Sequence, residues 1–336
     1  MNQMLLLTKV TRMSNHTRST LRIVLLLMFT SIVSANVAAQ TPSAAISHFK
    51  VGVRENRQGN FDLAIEDFTK AIEISSHPGQ RVSGKSALSN SPGASAELRP
   101  TDQPKTVTVL DLFTAVAYAN RGFAWYAKGD FARAVADCNE AIRINPRLAD
   151  AYLNRAAGRK AVGDTAGALV DLNRAVEIDA HMIEALVSRG ELRKDLGDID
   201  GALADLDRAI ALTPRLPEAY YYRGSALITK QKLDAAISDF NQAIRLKPDF
   251  AEAYHVRGTA RAFKNELETA VGDFSRALEL DPKLALAYEN RGLTFLLQGK
   301  EVAAQLDFER CLTIDLSLKE DLNQRIRIAK ELHVIR

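Results

Sequence analysis

Residues 115–148 read AVAYANRGFAWYAKGDFARAVADCNEAIRINPRL, and the next 34 residues, 149–182, read ADAYLNRAAGRKAVGDTAGALVDLNRAVEIDAHM. Laid one above the other, the two stretches keep Ala, Tyr, Arg, a small residue, Gly-Asp, Ala, Asp and Ala in the same places. Each holds two apolar stripes at the helical spacing of about 3.6 residues, separated by a Gly-Asp turn former. One unit is therefore a pair of amphipathic helices. A single pair cannot bury both of its apolar stripes, so the units must stack, and the fold class that follows is an all-α repeat array.

The pattern runs on without interruption. Its clearest mark is an Arg followed by a small residue, at Arg121, Arg155, Arg189, Arg223, Arg257 and Arg291. A Tyr stands three residues earlier at 118, 152, 220, 254 and 288, with Leu186 as the exception. An Asp recurs on the second helix in every copy, at Asp137, Asp171, Asp205, Asp239, Asp273 and Asp307. Pro146, Pro214, Pro248 and Pro282 mark the turns between units. An earlier copy keeps Gly52, Gly59, Ala64, Asp67, Phe68 and Ala71 at the same offsets but has Val51 in place of the Arg.

On these residues the chain resembles the tetratricopeptide repeat family, whose unit places an aromatic, a small residue, an Ala and a Pro at such offsets. The resemblance implies a right-handed superhelical solenoid of helix pairs. Departures are few: Ala180 and Leu316 replace the turn Pro, Gln231 and Asn265 replace the Gly between helices, and Arg stands where the family usually has Leu. The expected organisation is a first helix pair over 45–76, six consecutive repeats over 115–318 and a capping helix over 319–334. In the cap, Leu318, Leu322, Ile326, Ala329 and Leu332 form the apolar stripe, while Glu320, Asn323, Arg325, Arg327 and Lys330 cover the rest. Gly in a helix interior costs about 1 kcal/mol against Ala, so its recurrence after the Arg predicts close approach of the paired helix. Pro217 suits a first helical turn, where its missing N–H costs nothing.

Residues 77–110 break the pattern. They are rich in Ser, Gly and Pro, and Gly52 to Gly122 spans 70 residues, one 34-residue unit and 36 more. This is read as a flexible insertion, either a tolerated loop or a tether or recognition segment.

Residues 1–39 read as a signal peptide, with a basic stretch through Arg22, an apolar run from Ile23 to Val33, and Val37, Ala38, Ala39 before a cleavage site. Export follows: periplasmic in a Gram-negative cell, otherwise secreted. If the segment is retained, a frayed span from Leu21 to Ala39 would anchor the chain to a membrane as an accessory subunit of an envelope complex. Lys9, Arg12, Arg18 and Arg22 are the leader's bases, and removing them from a net charge of +3 leaves −1 for the body. A near-neutral body with interspersed charge lacks the footprint of a nucleic-acid binder. Cys138 and Cys311 are too few for a disulfide framework and are read as small buried apolar residues.

No catalytic set is visible. The six His share no ligand spacing, no Gly-rich phosphate loop occurs, and no Ser stands in a nucleophile elbow. The reading is thus a non-enzymatic scaffold with no cofactor and no metal, whose partner is another protein or a peptide segment. Counting about 100° per residue, the recurrent Arg points into the stack, where a buried guanidinium must be paired, so Arg and Asp are expected to form a structural ladder. Seven Asp, with Asp67, face six Arg. The angle leans toward the preceding repeat, which predicts Arg121 on Asp67 and leaves Asp307 over.

The resemblance implies a concave groove lined by the first helices. At its groove-facing offsets stand Asn120, Phe123, Tyr126, Asn154, Lys160, Glu184, Glu191, Lys194, Tyr221, Tyr222, His255, Glu289 and Asn290. Rings mixed with amides and both charge signs suit a protein partner, with Tyr221, Tyr222 and His255 as the expected anchor.

Overall fold

The computed structural model describes residues 42–76 and 107–334, and every regular element among them is helical. The expected signal peptide and most of the insertion lie outside the described residues. Two units, divided between Ala180 and His181, are described in turn.

The first unit holds three helix pairs: α1 (Ser43–Gln58) with α2 (Phe61–Ser76), α3 (Val109–Lys128) with α4 (Phe131–Ile144), and α5 (Ala149–Ala161) with α6 (Thr165–Ile178). α1 ends at Gly59, whose φ of +80° is the left-handed conformation that frees a helix to turn back. Asp130 and Asp164 then start α4 and α6 by accepting the backbone N–H of Arg133 and Gly167, at 3.0 and 2.9 Å. Across the insertion, Phe49 of α1 packs on Phe68 of α2 and Phe113 of α3, with ring centroids 5.6 and 5.3 Å apart. α3 begins at Val109, so the last residues assigned to the insertion are helical. The cause is a capping box, in which Thr108 N donates to Asp111 and Asp111 N to Thr108 Oγ1, at 2.9 and 3.1 Å.

The second unit stacks α7 (Ile183–Asp195) with α8 (Ile199–Leu212), α9 (Pro217–Thr229) with α10 (Leu233–Leu246), α11 (Ala251–Phe263) with α12 (Leu267–Leu280), and α13 (Ala285–Leu297) with α14 (Glu301–Ile314). A short 3-10 turn, Leu316–Leu318, leads into α15 (Lys319–Val334). Pro217 is the first residue of α9, as its fixed φ favours.

The recurrent Gly packs as its position predicts. A Cβ on Gly292 would lie 2.5 Å from the buried ring of Phe308 and 3.2 Å from the Ala304 carbonyl, a distance no Ala could hold without moving the helix. In the first unit the same Cβ on Gly122 would meet Cys138 Sγ at 2.9 Å. The main neighbour is thus the residue after the ladder Asp, and the recurrent Ala supplies its backbone.

The cap departs from expectation in one respect. Leu322 and Ala329 are buried with Leu293, Leu296 and Leu297 of α13, and Ile326 packs against them. Arg325, expected on the solvent side, is 5% exposed. It pairs with Glu289, and its Nη2 donates to Asn290 Oδ1 at 3.0 Å. α15 therefore lies along the first helix of the last pair, fixed by one buried cation as well as by its apolar stripe.

Candidate functional site

Six Arg of the first helices grip six Asp of the second helices in one geometry. In each, Nε and Nη2 donate to the two carboxylate oxygens, at 2.8 and 2.8 Å for Arg121 on Asp137, 2.9 and 2.6 Å for Arg155 on Asp171, and 2.8 and 2.6 Å for Arg189 on Asp205. Arg223 on Asp239 gives 2.8 and 2.7 Å, Arg257 on Asp273 gives 3.0 and 2.6 Å, and Arg291 on Asp307 gives 2.8 and 2.8 Å. Bidentate pairs of this kind are the strongest that these groups make. Where a Tyr stands three residues before the Arg, its ring lies 5.2 to 5.7 Å from the guanidinium, within range of a cation–π contact.

The pairing is internal to each repeat, which corrects the expectation that each Arg reaches back. Only the third nitrogen, Nη1, contacts the preceding pair, and it meets the residue two past the Asp: Thr69 at 2.9 Å from Arg121, Asn139 at 2.8 Å from Arg155, Asn241 at 2.7 Å from Arg257 and Ser275 at 3.0 Å from Arg291. Asp307 is accordingly paired. Asp67, which has no ladder Arg, is met at 2.7 Å by His48 Nδ1, standing in the Tyr register of the first copy.

A second set of cations escaped the sequence reading. Arg159, Arg193 and Arg261, one turn after the ladder Arg, donate to Asp171, Asp205 and Asp273 at 2.9, 2.8 and 2.8 Å. The available signal was an Arg four residues on, in three copies of six. The ladder lies close to the surface, with Arg side chains 12 to 25% exposed over Asp side chains that are 10% exposed or less. The Asp239 hydrogen bond, against burial, holds the Arg223 guanidinium above its ordinary value.

The first-helix face divides into packed and partly open positions. In the first unit Asn120 and Phe123 are buried; Asn120 Nδ2 donates to Val116 O at 2.9 Å, and Phe123 meets Phe61 edge-on. Tyr126, Asn154 and Lys160 are partly exposed, and Asn154 Nδ2 donates to Ala119 O at 3.1 Å.

In the second unit Glu184, Glu191 and Lys194 are partly exposed, whereas Tyr221, Tyr222, His255, Glu289 and Asn290 are buried. The expected anchor of free-standing rings is therefore corrected. Tyr221 packs between Phe240 of its own pair and Phe250 at the start of the next, at 6.2 and 5.1 Å, with Tyr222 edge-on at 5.2 Å. His255 Nε2 accepts from Asn290 Nδ2 at 2.9 Å, and burial first and the Arg325 guanidinium second press its pKa down to about 4. The Tyr221 ring fills the interface between its own pair and the next.

Acids gather on this part of the face. Glu184, Glu218 and Glu252 each occupy the second residue of a first helix, in α7, α9 and α11. Burial, then the carboxylates of Glu252, Glu191 and Asp195, raise the Tyr221 phenol above its ordinary value. Lys194 is paired with Asp195 at 3.0 Å. Among the described residues no group of three or more His, Cys, Asp or Glu could hold a metal ion. Cys138 and Cys311 are buried free thiols, and burial pushes Cys311 up to about 12.

Stacked helix pairs, six of the seven keyed by a guanidinium–carboxylate clasp, define a repeat scaffold of the kind that binds other proteins. Profiles described as tetratricopeptide repeat match residues 56–78, 115–148 and 187–249, and one described as TPR repeat matches 258–299. The chain is a tetratricopeptide repeat protein, and that family is typically non-enzymatic.

Solved structures share the fold. A tetratricopeptide repeat protein from Parabacteroides merdae is 18% identical with a TM-score of 0.58, over 86% of this chain and 99% of its own. PilW, a type IV pilus biogenesis factor, is 19% identical with a TM-score of 0.57, over 62% of this chain and 97% of its own. PilF of Pseudomonas aeruginosa is 16% identical with a TM-score of 0.54, over 66% and 97%. No curated protein matches the chain in sequence.

Proposed function

We propose that the chain is an exported scaffold that holds a polypeptide partner on its first-helix face, and that the partner presents cations to it. The observation that carries this reading is α15. An amphipathic helix of the chain itself lies on the first helix α13, with Leu322 and Ala329 against apolar residues and Arg325 delivered to Glu289 and Asn290. That is a helix-in-groove contact made with the residue types that line the face further along. The carboxylates at Glu184, Glu191 and Asp195 extend the acidic character along α7 in the same unit. Export is supported by the order of basic, apolar and small residues in 1–39.

The test is crosslinking of the native protein in its own envelope, followed by recovery of bound polypeptides. The captured partner should bind the purified chain with an affinity that falls as salt rises, because charge complementarity is screened. Charge reversal in Glu184→Lys with Glu191→Lys should weaken it by about tenfold, or roughly 1.4 kcal/mol. An unchanged affinity in a variant that melts like the parent would remove the acidic face from the account.

A further inference from the structure

The second helix α14 carries an apolar face where four of the six earlier second helices carry an acid and the other two, α4 and α6, carry Ala132 and Ala166. The second residue of α2, α8, α10 and α12 is Asp62, Asp200, Asp234 or Glu268, and each meets the C-terminal end of the following first helix. Lys128 pairs with Asp62 and Lys230 with Asp200. Lys264 Nζ lies 2.6 Å from Asp234, and Gln298 Nε2 donates to Glu268 at 3.3 Å. In α14 this residue is Val302, 80% exposed. One turn on, Leu306 is 60% exposed where α8, α10 and α12 have Ala204, Ser238 and Gly272.

An array that ends in solvent needs a polar outer face. Val170 of α6, 64% exposed, shares the register of Leu306, but among the described second helices α14 alone sets a large exposed apolar residue at both positions. α15 leaves this face open because it lies along α13. Between α14 and α15 runs a cleft of about 410 Å³, lined by Val302, Leu306, Leu296 and Ile326 and flanked by Glu301 and Lys330.

We propose that a second copy of the chain closes this cleft, presenting the same cleft in return. One feature favours that occupant: the flanks carry opposite charges, Glu301 on α14 and Lys330 on α15, so a two-fold axis sets Glu301 of one copy against Lys330 of the other. A self-paired patch must be complementary to itself, and one carrying a single sign would repel its copy. Val302 and Leu306 then cover Leu306 and Val302 across the axis. The contact is small, so association is weak and concentration-dependent.

Sedimentation velocity on the purified full chain, from about 1 to 200 μM, should show a reversible monomer–dimer equilibrium. Val302→Asp with Leu306→Ser restores the residues that other repeats carry. It should raise the dissociation constant at least about thirtyfold while leaving the melting temperature unchanged. Glu301→Lys should also weaken the dimer, and Glu301→Lys with Lys330→Glu should recover it. A monomer throughout the range, or a dimer indifferent to all three variants, overturns the proposal. Neither outcome bears on the first-helix face, whose partner binding is measured separately.

Discussion

At the residue scale the ladder makes unequal demands on its members. Arg223 alone grips both oxygens of Asp239 from the first helix of its pair, whereas Asp273 is held by Arg257 and by Arg261 as well. Removing one partner of a buried pair costs about 3–5 kcal/mol, because a carboxylate is stranded. Arg223 is a quarter exposed, and solvent screening brings the expected cost of Arg223→Ala to roughly 2–3 kcal/mol. Arg257→Ala should cost less, about 1–2 kcal/mol, since Arg261 still neutralises Asp273. Urea melts of the two variants compare the sites directly, and equal losses would mean the second Arg contributes nothing. Composition and spacing made the Arg–Asp pairing legible, but its direction lay beyond them. The guanidinium has two edges, and only the geometry shows that the Nε edge turns inward while Nη1 reaches back.

A second residue effect is backbone strain. Gln231 and Asn265 sit at φ of +59° and +64°, where other repeats place Gly. Side chains other than Asn pay about 1–2 kcal/mol in that region, and Gly adds some freedom to the unfolded chain. Gln231→Gly should therefore raise stability by roughly 0.5–1 kcal/mol. Differential scanning calorimetry decides it, and a lower melting temperature would show that the Gln side chain contributes more than its strain costs.

At the element scale the cap helix depends on a buried polar chain that runs from Arg325 through Asn290 to His255. His255 accepts a hydrogen bond, so it is neutral, and its pKa of about 4 lies below the ordinary 6.5. With the folded value depressed, the unfolded chain takes up the proton first as pH falls. Stability is thus fully present above about pH 6.5 and is lost progressively toward pH 4, by up to roughly 3 kcal/mol. His255→Gln keeps an acceptor without the titration, so its melting temperature should fall less than the parent's between pH 7 and 5. Parallel pH profiles would refute the assignment. The stripe of α15 was legible from its 3.6-residue spacing, but the burial of Arg325 was not. Arg is a surface residue by default, and only the packing of α15 along α13 brings it to Glu289. Tyr221 was misread for a related reason: its offset gave the face of the helix, but not its contacts with Phe240 and Phe250.

At the scale of the whole molecule, the 34-residue period made the array legible because every copy repeats the same local decisions of stripe, turn and clasp. The fate of the leader is a different kind of question, since it turns on one segment read once. Residues 1–39 hold four bases and no acid, whereas the rest of the chain is close to neutral. The apolar run from Ile23 to Val33 is short of the roughly 20 residues that cross a bilayer as a helix, and the small residues Val37, Ala38 and Ala39 follow it as a peptidase requires. Among the described helices none is long and apolar enough to cross a membrane, which leaves the leader as the stretch to test for a helical span. Mass spectrometry of the native protein should find Gln40 as its N-terminus, with the chain recovered in the soluble envelope fraction. Recovery of intact residues 13–39 in a carbonate-washed membrane pellet would instead establish the anchored form, and the scaffold would then work at a membrane surface.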